Sequence, residues 1–173
     1  IDPGLNNPLS AHWYAQDYDG NVYVIAEHFD KGKDVQYHSQ KIKEISEKLD
    51  WHLTNGKLYA LIDSAASQRT LASSKNVVDL FYENDIIVNP KVNKDMFSGI
   101  NVVKRFLKDA NGTPHLFIFK NCVNLISEIK SYWWGDNDLP VKKDDHCLDE
   151  MRYYLMHKSL QIKPKKEKSQ VER

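Results

Sequence analysis

The sequence predicts an α/β domain in which a mixed central β-sheet is flanked by helices on both faces. Two observations favour this class: β-forming residues flank a turn dipeptide early in the chain, and helical and strand-like segments alternate after it. A hairpin pairs antiparallel, whereas strands joined through helices run parallel, so the combination gives a mixed sheet. The 173 residues suffice for one such domain, predicted over residues 1–160.

The first half of the chain supplies the hairpin and two strand-helix alternations. The hairpin is predicted over about residues 10–29, around Asp19-Gly20. Apolar positions at helical spacing predict a helix over residues 34–49. The run "LYALID" is typical of a buried strand that ends at Asp63, and it is followed by a helical segment, "SKNVVDLFYEN", and a strand, "IIVNPKV".

The second half repeats this alternation. A helix that begins near Met96 is predicted to stop near Asn111-Gly112, followed by the strand "HLFIFK" and a helix over residues 125–133. The last helix begins near Asp144 or Asp145, both good N-cap residues, and runs to about residue 160. Residues 161–173 are charged and almost free of apolar groups, which predicts a disordered tail.

Composition narrows the class of protein only slightly. The 24 basic residues balance the 24 acidic ones, so net charge does not indicate a nucleic-acid binder, although local patches remain possible. Cys122 and Cys147 lack metal-ligand spacing and are predicted to be buried free thiols in a reducing cytoplasm. No apolar run approaches the length of a membrane span. The chain starts without Met and is interpreted as a fragment or cut domain.

Three acids lie where a sheet can gather them: Asp2 at the chain start, Asp63 at a strand end and Asp149 on the last helix. Carboxylates on separate elements are suitable ligands for one or two Mg²⁺ or Mn²⁺ ions. Each acid also has a purely structural interpretation. Asp2 can form a turn, Asp63 can cap the following helix, and Asp149 can pair with Arg152 or Lys143.

Four segments occur in a characteristic order: "IDPGLNNPLSAHWYAQDYDGNVYVIAEHF", "LIDSAA", "NKDMFSGINVVKRFL" and "DDHCLDEMRY". This set resembles the C-terminal nuclease domain of the large terminase subunits of tailed bacteriophages, over about residues 1–157. The resemblance implies a ribonuclease H-like fold and an endonuclease that cuts concatemeric double-stranded viral DNA during genome packaging. It implies Asp2, Asp63 and Asp149 as metal ligands and His146 as an active-site neighbour, and it gives Lys94 a contact to DNA phosphate or to the carboxylates.

The same resemblance implies a mechanism and partners. Two Mg²⁺ or Mn²⁺ ions are expected to activate water for in-line hydrolysis that leaves a 3′-hydroxyl and a 5′-phosphate. The expected partners are viral DNA, the ATPase motor domain, the small terminase subunit and the portal, in the host cell cytoplasm during virion assembly, and no membrane. Three features depart from the family pattern: Glu150 stands where alanine is usual, no strand precedes Asp2, and no Walker A motif occurs.

Helical spacing places His146, Asp149 and Tyr153 on one face of the last helix, beside an apolar docking stripe. Several basic residues are predicted to contact DNA, principally Lys91, Lys94, Lys142 and Lys143. The lysines of the first helix are interpreted as a solvated face. The pair Trp133-Trp134 can stack on bases, but its position at the end of an apolar helix favours packing in the core.

Three alternative functions remain open. The segment "DPGLNN" also resembles the first phosphate loop of actin-like nucleotide-binding modules, but "DSAASQ" lacks the glycines of a second loop. Another ribonuclease H-like nuclease, of the junction resolvase type, is the nearest enzymatic alternative. A non-catalytic packaging adaptor is the third, and retention of all three acids argues against it.

Overall fold

A computed structural model describes residues 1–4, 6–69, 74–135, 140–141 and 145–161. The predicted tail lies outside this part of the chain, apart from residue 161 at the end of the last helix. The elements, in chain order, are β1 (Leu9–Gln16), β2 (Val22–Asp30), α1 (Val35–Lys48), β3 (Leu58–Leu61), a short 3-10 helix (Ser64–Ser67), α2 (Val77–Glu83), β4 (Ile86–Asn89), α3 (Met96–Leu107), β5 (Leu116–Ile118), α4 (Val123–Ser131) and α5 (His146–Gln161).

The strands form two sheets with both kinds of pairing. In the first sheet β1 pairs antiparallel with β2, which pairs parallel with β5, and in the second sheet β3 pairs parallel with β4. The predicted hairpin turns around Asp17, whose carboxylate accepts from the backbone N–H groups of Asp19 and Asn21. The predicted combination of an antiparallel hairpin with parallel crossovers is confirmed.

Residues 1 and 2 join the two sheets. Asp2 exchanges both backbone hydrogen bonds with Ser10 of β1, at 2.8 and 3.0 Å. On the other side the amino group of Ile1 donates to the carbonyl of Leu61, and the carbonyl of Ile1 accepts from the N–H of Asp63. A groove of about 450 Å³ continues between β1 and β3 beyond this link. Asp2 and Asp63 are therefore fixed relative to each other by backbone pairing.

Helices cover both faces of the sheets. One apolar cluster packs side chains of α1 and α2, including Ile42 and Phe81, against β1, β3 and β4. The other packs α3, α4 and α5 against β2 and β5, with Val24, Leu125 and Met151 buried at its centre. The second cluster anchors the first turns of α5, where two of the predicted site residues lie.

Two predictions about individual segments are wrong. Helix α3 ends at Leu107 rather than near Asn111-Gly112, because the carboxylate of Asp109 accepts backbone N–H groups of the following turn. Helix α4 ends at Ser131, so the following tryptophans leave the core. Trp133 and Trp134 are 53% and 50% exposed.

Both cysteines are buried free thiols, as predicted. Within the part of the chain that the structure describes, no helix combines the length and the apolar character that crossing a membrane requires.

Candidate metal centre

Asp63 is positioned by the end of a strand and by a helix cap at the same time. Two residues after β3 its carboxylate accepts the backbone N–H of Ala65 at 2.7 Å and so caps the 3-10 helix. The same carboxylate binds the ammonium group of Lys94 at 2.7 and 2.9 Å. Burial raises the pKa of Asp63, but the bonds from Lys94 and Ala65 outweigh burial and hold the pKa below its ordinary value. Capping and an inward-facing charge are thus compatible.

The carboxylate of Asp2 is largely buried beside His146. It lies 3.2 Å from Nδ1 of that ring. The pKa of Asp2 is raised to about 6, mainly by burial, which the contact with His146 only partly offsets, and the charges of Asp63 and Asp149 raise it slightly further. The negative charges at this place therefore repel one another and attract a cation.

Asp149 lies in the first turn of α5 and faces the other two acids. Its carboxylate accepts from Arg152 at 2.6 Å, one turn further along the helix, and lies 3.5 Å from the hydroxyl of Tyr153. The predicted pairing with Arg152 is present, and the predicted shared face of His146, Asp149 and Tyr153 is confirmed.

Tyr153 lies beside both Asp63 and Asp149. The residue is 3% exposed, and the charges of both carboxylates act on its hydroxyl. Burial, followed by the charges of Asp149 and Asp63, raises its pKa far above the ordinary value, so the hydroxyl keeps its proton and acts as a donor. The structure thus brings together the three predicted carboxylates, and each of them carries one basic partner. We refer to Asp2, Asp63 and Asp149 with these partners as the aspartate site.

The donor set fits a hard divalent cation. Carboxylate oxygens are preferred by Mg²⁺ and Mn²⁺, and the three aspartates supply such oxygens from three separate elements. Within the described part of the chain, however, the three donor atoms that all lie within 4.8 Å of one another belong to a different group: His12, Glu27 and Cys147.

That second group is a buried hydrogen-bond network. Nδ1 of His12 lies 2.8 Å from Glu150, and its Nε2 lies 3.4 Å from Glu27. Burial alone lowers the pKa of His12, but the two glutamates overcome burial and raise the pKa to about 9. A ring protonated on both nitrogens has no lone pair for a metal, and burial also raises the pKa of the Cys147 thiol. We call His12, Glu27 and Glu150 the histidine–glutamate network.

Glu150 belongs to this network. Its side chain, which stands where the resembled family usually has alanine, points into the interior. It is 5% exposed, and its carboxylate also accepts from the hydroxyl of Tyr14 at 2.6 Å and from the amino group of Ile1 at 3.3 Å. These bonds hold the pKa of Glu150 below its ordinary value despite its burial.

Of the four lysines predicted to contact DNA, the structure describes Lys91 and Lys94. Lys94 joins the aspartate site with 45% of its side chain exposed. Lys91 is exposed at the end of β4, where its backbone N–H donates to Asn89. Lys142 and Lys143 lie outside the described residues, as does Asp144. The sequence places Tyr153 on the helix face of Asp149, through its spacing of four residues, but does not assign it a role in the site.

Comparison with known proteins reveals two similar solved structures. The nuclease domain of the P22 large terminase matches with a TM-score of 0.71 and 18% identity, covering 90% of this chain and 78% of that one. The large terminase nuclease domain of bacteriophage SPP1, solved with bound Mn, matches with a TM-score of 0.60 and 18% identity, covering 90% and 82%.

The chain has the ribonuclease H-like fold of phage large terminase nuclease domains. The fold expected from the motif order is therefore confirmed. No protein-family model matches the sequence, and no curated protein does so either.

Proposed function

We propose that this domain is a divalent-metal-dependent DNA endonuclease that cleaves concatemeric double-stranded viral DNA during genome packaging. One observation carries the proposal: Asp2, Asp63 and Asp149, which come from three separate parts of the chain, face one another in a fold shared with terminase nuclease domains. Three carboxylates gathered from separate elements repel one another even though each has a basic partner, so their convergence favours a metal-binding role.

In this proposal the three aspartates hold two Mg²⁺ or Mn²⁺ ions. Ions held there would supply a water molecule of lowered pKa and positive charge beside the phosphodiester. His146 orients the carboxylate of Asp2 through its Nδ1 contact at 3.2 Å. Tyr153 orients Asp149 by donating its hydroxyl proton to that carboxylate.

Lys94 has a role that changes when a cation binds. In the described structure its ammonium group balances Asp63, and about half of the side chain reaches solvent. With a cation bound by Asp63, Lys94 would be free to contact a DNA phosphate, because a lysine ammonium is a mobile point charge that commonly binds phosphate. Lys91, Lys142 and Lys143 extend the proposed contact to DNA.

The proposed setting is the host cell cytoplasm during virion assembly. There the proposed partners besides viral DNA are the ATPase motor domain, the small terminase subunit and the portal. A balanced charge of 24 basic and 24 acidic residues gives the domain little long-range attraction for DNA, which is consistent with delivery of the substrate by such partners.

The test is metal-dependent nicking of supercoiled plasmid by wild type and by Asp63→Asn. Asparagine keeps the oxygen that accepts the N–H of Ala65, so the fold is retained while the metal-binding charge is lost. We expect wild type to nick in Mg²⁺ or Mn²⁺ and Asp63→Asn to be inactive. Glu44→Gln is the matched control, since the carboxylate of Glu44 lies on the surface of α1 and binds Gln40 and Lys41 of the same helix.

Other outcomes separate the alternatives. Full nicking by Asp63→Asn refutes the assignment of the site. ATP binding without metal-dependent cleavage favours the actin-like module. Preferential cleavage of four-way junctions over linear duplex favours a resolvase. A folded wild type that supports packaging without cleaving DNA in any divalent metal favours the adaptor.

A further inference from the structure

Arg152 contacts both halves of the aspartate site. Its guanidinium donates to the carboxylate of Asp149 at 2.6 Å. A second nitrogen of the guanidinium donates to the backbone carbonyl of Lys94 at 3.3 Å and lies 3.5 Å from that of Asp95. The side chain of Lys94 in turn binds Asp63. Arg152 therefore links the acid on α5 to the segment that holds the acid after β3.

The guanidinium of Arg152 is buried against an aromatic ring. The Arg152 side chain is only 7% exposed, and its charged group lies 5.0 Å from the centroid of the Tyr153 ring. A planar guanidinium can serve several acceptors in fixed directions, which a lysine ammonium cannot do. Its place between a carboxylate and a backbone carbonyl fixes the rotamer of Asp149 and the position of the Lys94 backbone together.

Gly99 makes room for this arginine. It lies on α3, and a Cβ atom built there meets Cγ and Cδ of Arg152 at 2.6 Å and Sδ of Met156 at 2.9 Å. The contacted atoms are the middle of a buried side chain, so they cannot move aside without displacing the guanidinium. Gly99 has no positive φ, and glycine within a helix lowers stability relative to alanine. Close approach to Arg152 and Met156 is therefore the physical reason for glycine at this position.

We propose that Arg152 is a positioning residue that aligns Asp149 and the Lys94 segment for metal binding, and that Gly99 provides the space in which it does so. The inference rests on the proposed metal-binding function of the aspartates. Groups that orient metal ligands without touching the metal typically contribute about 10- to 100-fold to metal affinity.

Gly99→Ala is the decisive variant because it retains every charge and every proposed ligand. Removing Arg152 itself also removes a positive charge near Asp149, which by Coulomb attraction strengthens cation binding and obscures a loss of alignment. We expect Gly99→Ala to bind Mn²⁺ about tenfold more weakly than wild type in a calorimetric titration, with plasmid nicking reduced in parallel. Asn101→Ala, an exposed change on the same helix, is the control and leaves the Mn²⁺ affinity unchanged.

A second measurement needs neither metal nor activity. Gly99→Ala is introduced into wild type and into Arg152→Ala, and the urea midpoint of each metal-free protein is measured. In wild type the midpoint falls because the new methyl group collides with Arg152. In Arg152→Ala the collision is largely relieved, and the greater helix propensity of alanine raises the midpoint. This change of sign assigns the close approach to Arg152 rather than to Met156.

A third readout distinguishes alignment from general stability. Low-millimolar ethylguanidinium is added to Arg152→Ala, and we expect it to restore part of the lost nicking while leaving wild type unaffected. Where Arg152→Ala is unfolded, the Gly99→Ala titration takes its place as the deciding measurement.

The outcomes are separable from those of the proposed function. Wild type that neither binds Mn²⁺ nor nicks DNA refutes the proposed function, and the positioning role for metal fails with it. Wild-type binding and nicking together with an unaltered Mn²⁺ affinity in Gly99→Ala overturns the role of Arg152 alone. An equal fall of the urea midpoint in both backgrounds overturns the proposed contact between Gly99 and Arg152.

Discussion

Asp149 and Glu150 are neighbours on α5, yet they belong to two regions that use charge differently. The histidine–glutamate network is closed, since the side chains of His12, Glu27 and Glu150 are between 0% and 6% exposed. All four oxygens of its two glutamates accept hydrogen bonds. The aspartate site is more open, with the side chain of Asp149 20% exposed and that of Lys94 45% exposed.

The difference shows how one helix serves the fold and the site together. Successive residues on a helix point about 100° apart, so one acid enters the interior while the next reaches the site. Buried charges that are fully paired fix the positions of their partners, and removing one partner lowers the free energy of unfolding. Partly exposed carboxylates that repel one another remain able to bind a cation.

The strongest way to break this comparison is to neutralise each neighbour separately. We expect Asp149→Asn to abolish nicking and to lower the free energy of unfolding by about 1 kcal/mol, because the amide oxygen still accepts from Arg152 and the guanidinium keeps its bond to the carbonyl of Lys94. We expect Glu150→Gln to lower the free energy of unfolding by about 3 kcal/mol, because the buried His12 then keeps only its longer contact with the carboxylate of Glu27. Urea denaturation and plasmid nicking test both variants, and the reverse pattern contradicts the division.

A second buried histidine, His28, makes the free energy of unfolding depend on pH in the acid range. His28 lies 2.9 Å from His38, and its pKa is lowered to about 4 by burial and then by the neighbouring His38, with Lys41 lowering it slightly and Asp30 raising it. The unfolded chain therefore binds more protons than the folded one between about pH 6.5 and 4. Stability from this pair is fully present above pH 6.5 and is lost as pH falls, by up to about 3 kcal/mol.

The histidine–glutamate network makes the free energy of unfolding depend on pH in the opposite direction. The pKa of His12 is raised to about 9, so its contribution is fully present below about pH 6.5 and is lost as pH rises through 9. Urea midpoints between pH 4 and 9 measure both effects. We expect His28→Gln to flatten the acid limb alone, whereas replacement of the exposed His52 changes neither limb. An acid limb unchanged in His28→Gln contradicts the assignment.

The smallest expected effect concerns where a divalent ion binds. Mn²⁺ at ten times its dissociation constant is expected to stabilise wild type by about 1.4 kcal/mol. Cys147→Ala should keep this increment, because in the group of His12, Glu27 and Cys147 the raised pKa values of His12 and Cys147 keep both side chains protonated, whereas Asp149→Asn should lose it. Thermal unfolding with and without MnCl₂ measures the increment. Its loss in Cys147→Ala places the ion in the network instead.

Much of the fold was accessible from the sequence because its signals are local. The turn at Asp19-Gly20 and the helical spacing over α1 and α3 predicted elements that the structure confirms. Asp63 and Asp149 stand beside regular apolar patterns, so their placement at a strand end and on a helix face was also predictable.

The remaining features depend on contacts between distant segments. Glu150 meets His12 across 138 positions of sequence, and the helical pattern alone does not show that its face meets β1. Trp133 and Trp134 follow an apolar helix, but where that helix ends decides their exposure. The dual contact of Arg152 was hidden for the same reason, since only its pairing with Asp149 is local.

The link formed by Ile1 and Asp2 has a mechanical consequence for the site. Sliding of the two sheets past each other must break the four backbone hydrogen bonds of this link before the backbones of Asp2 and Asp63 can separate. Adjustment to an ion of different radius therefore falls to side-chain torsions, and above all to Asp149, whose backbone belongs to a helix outside this link.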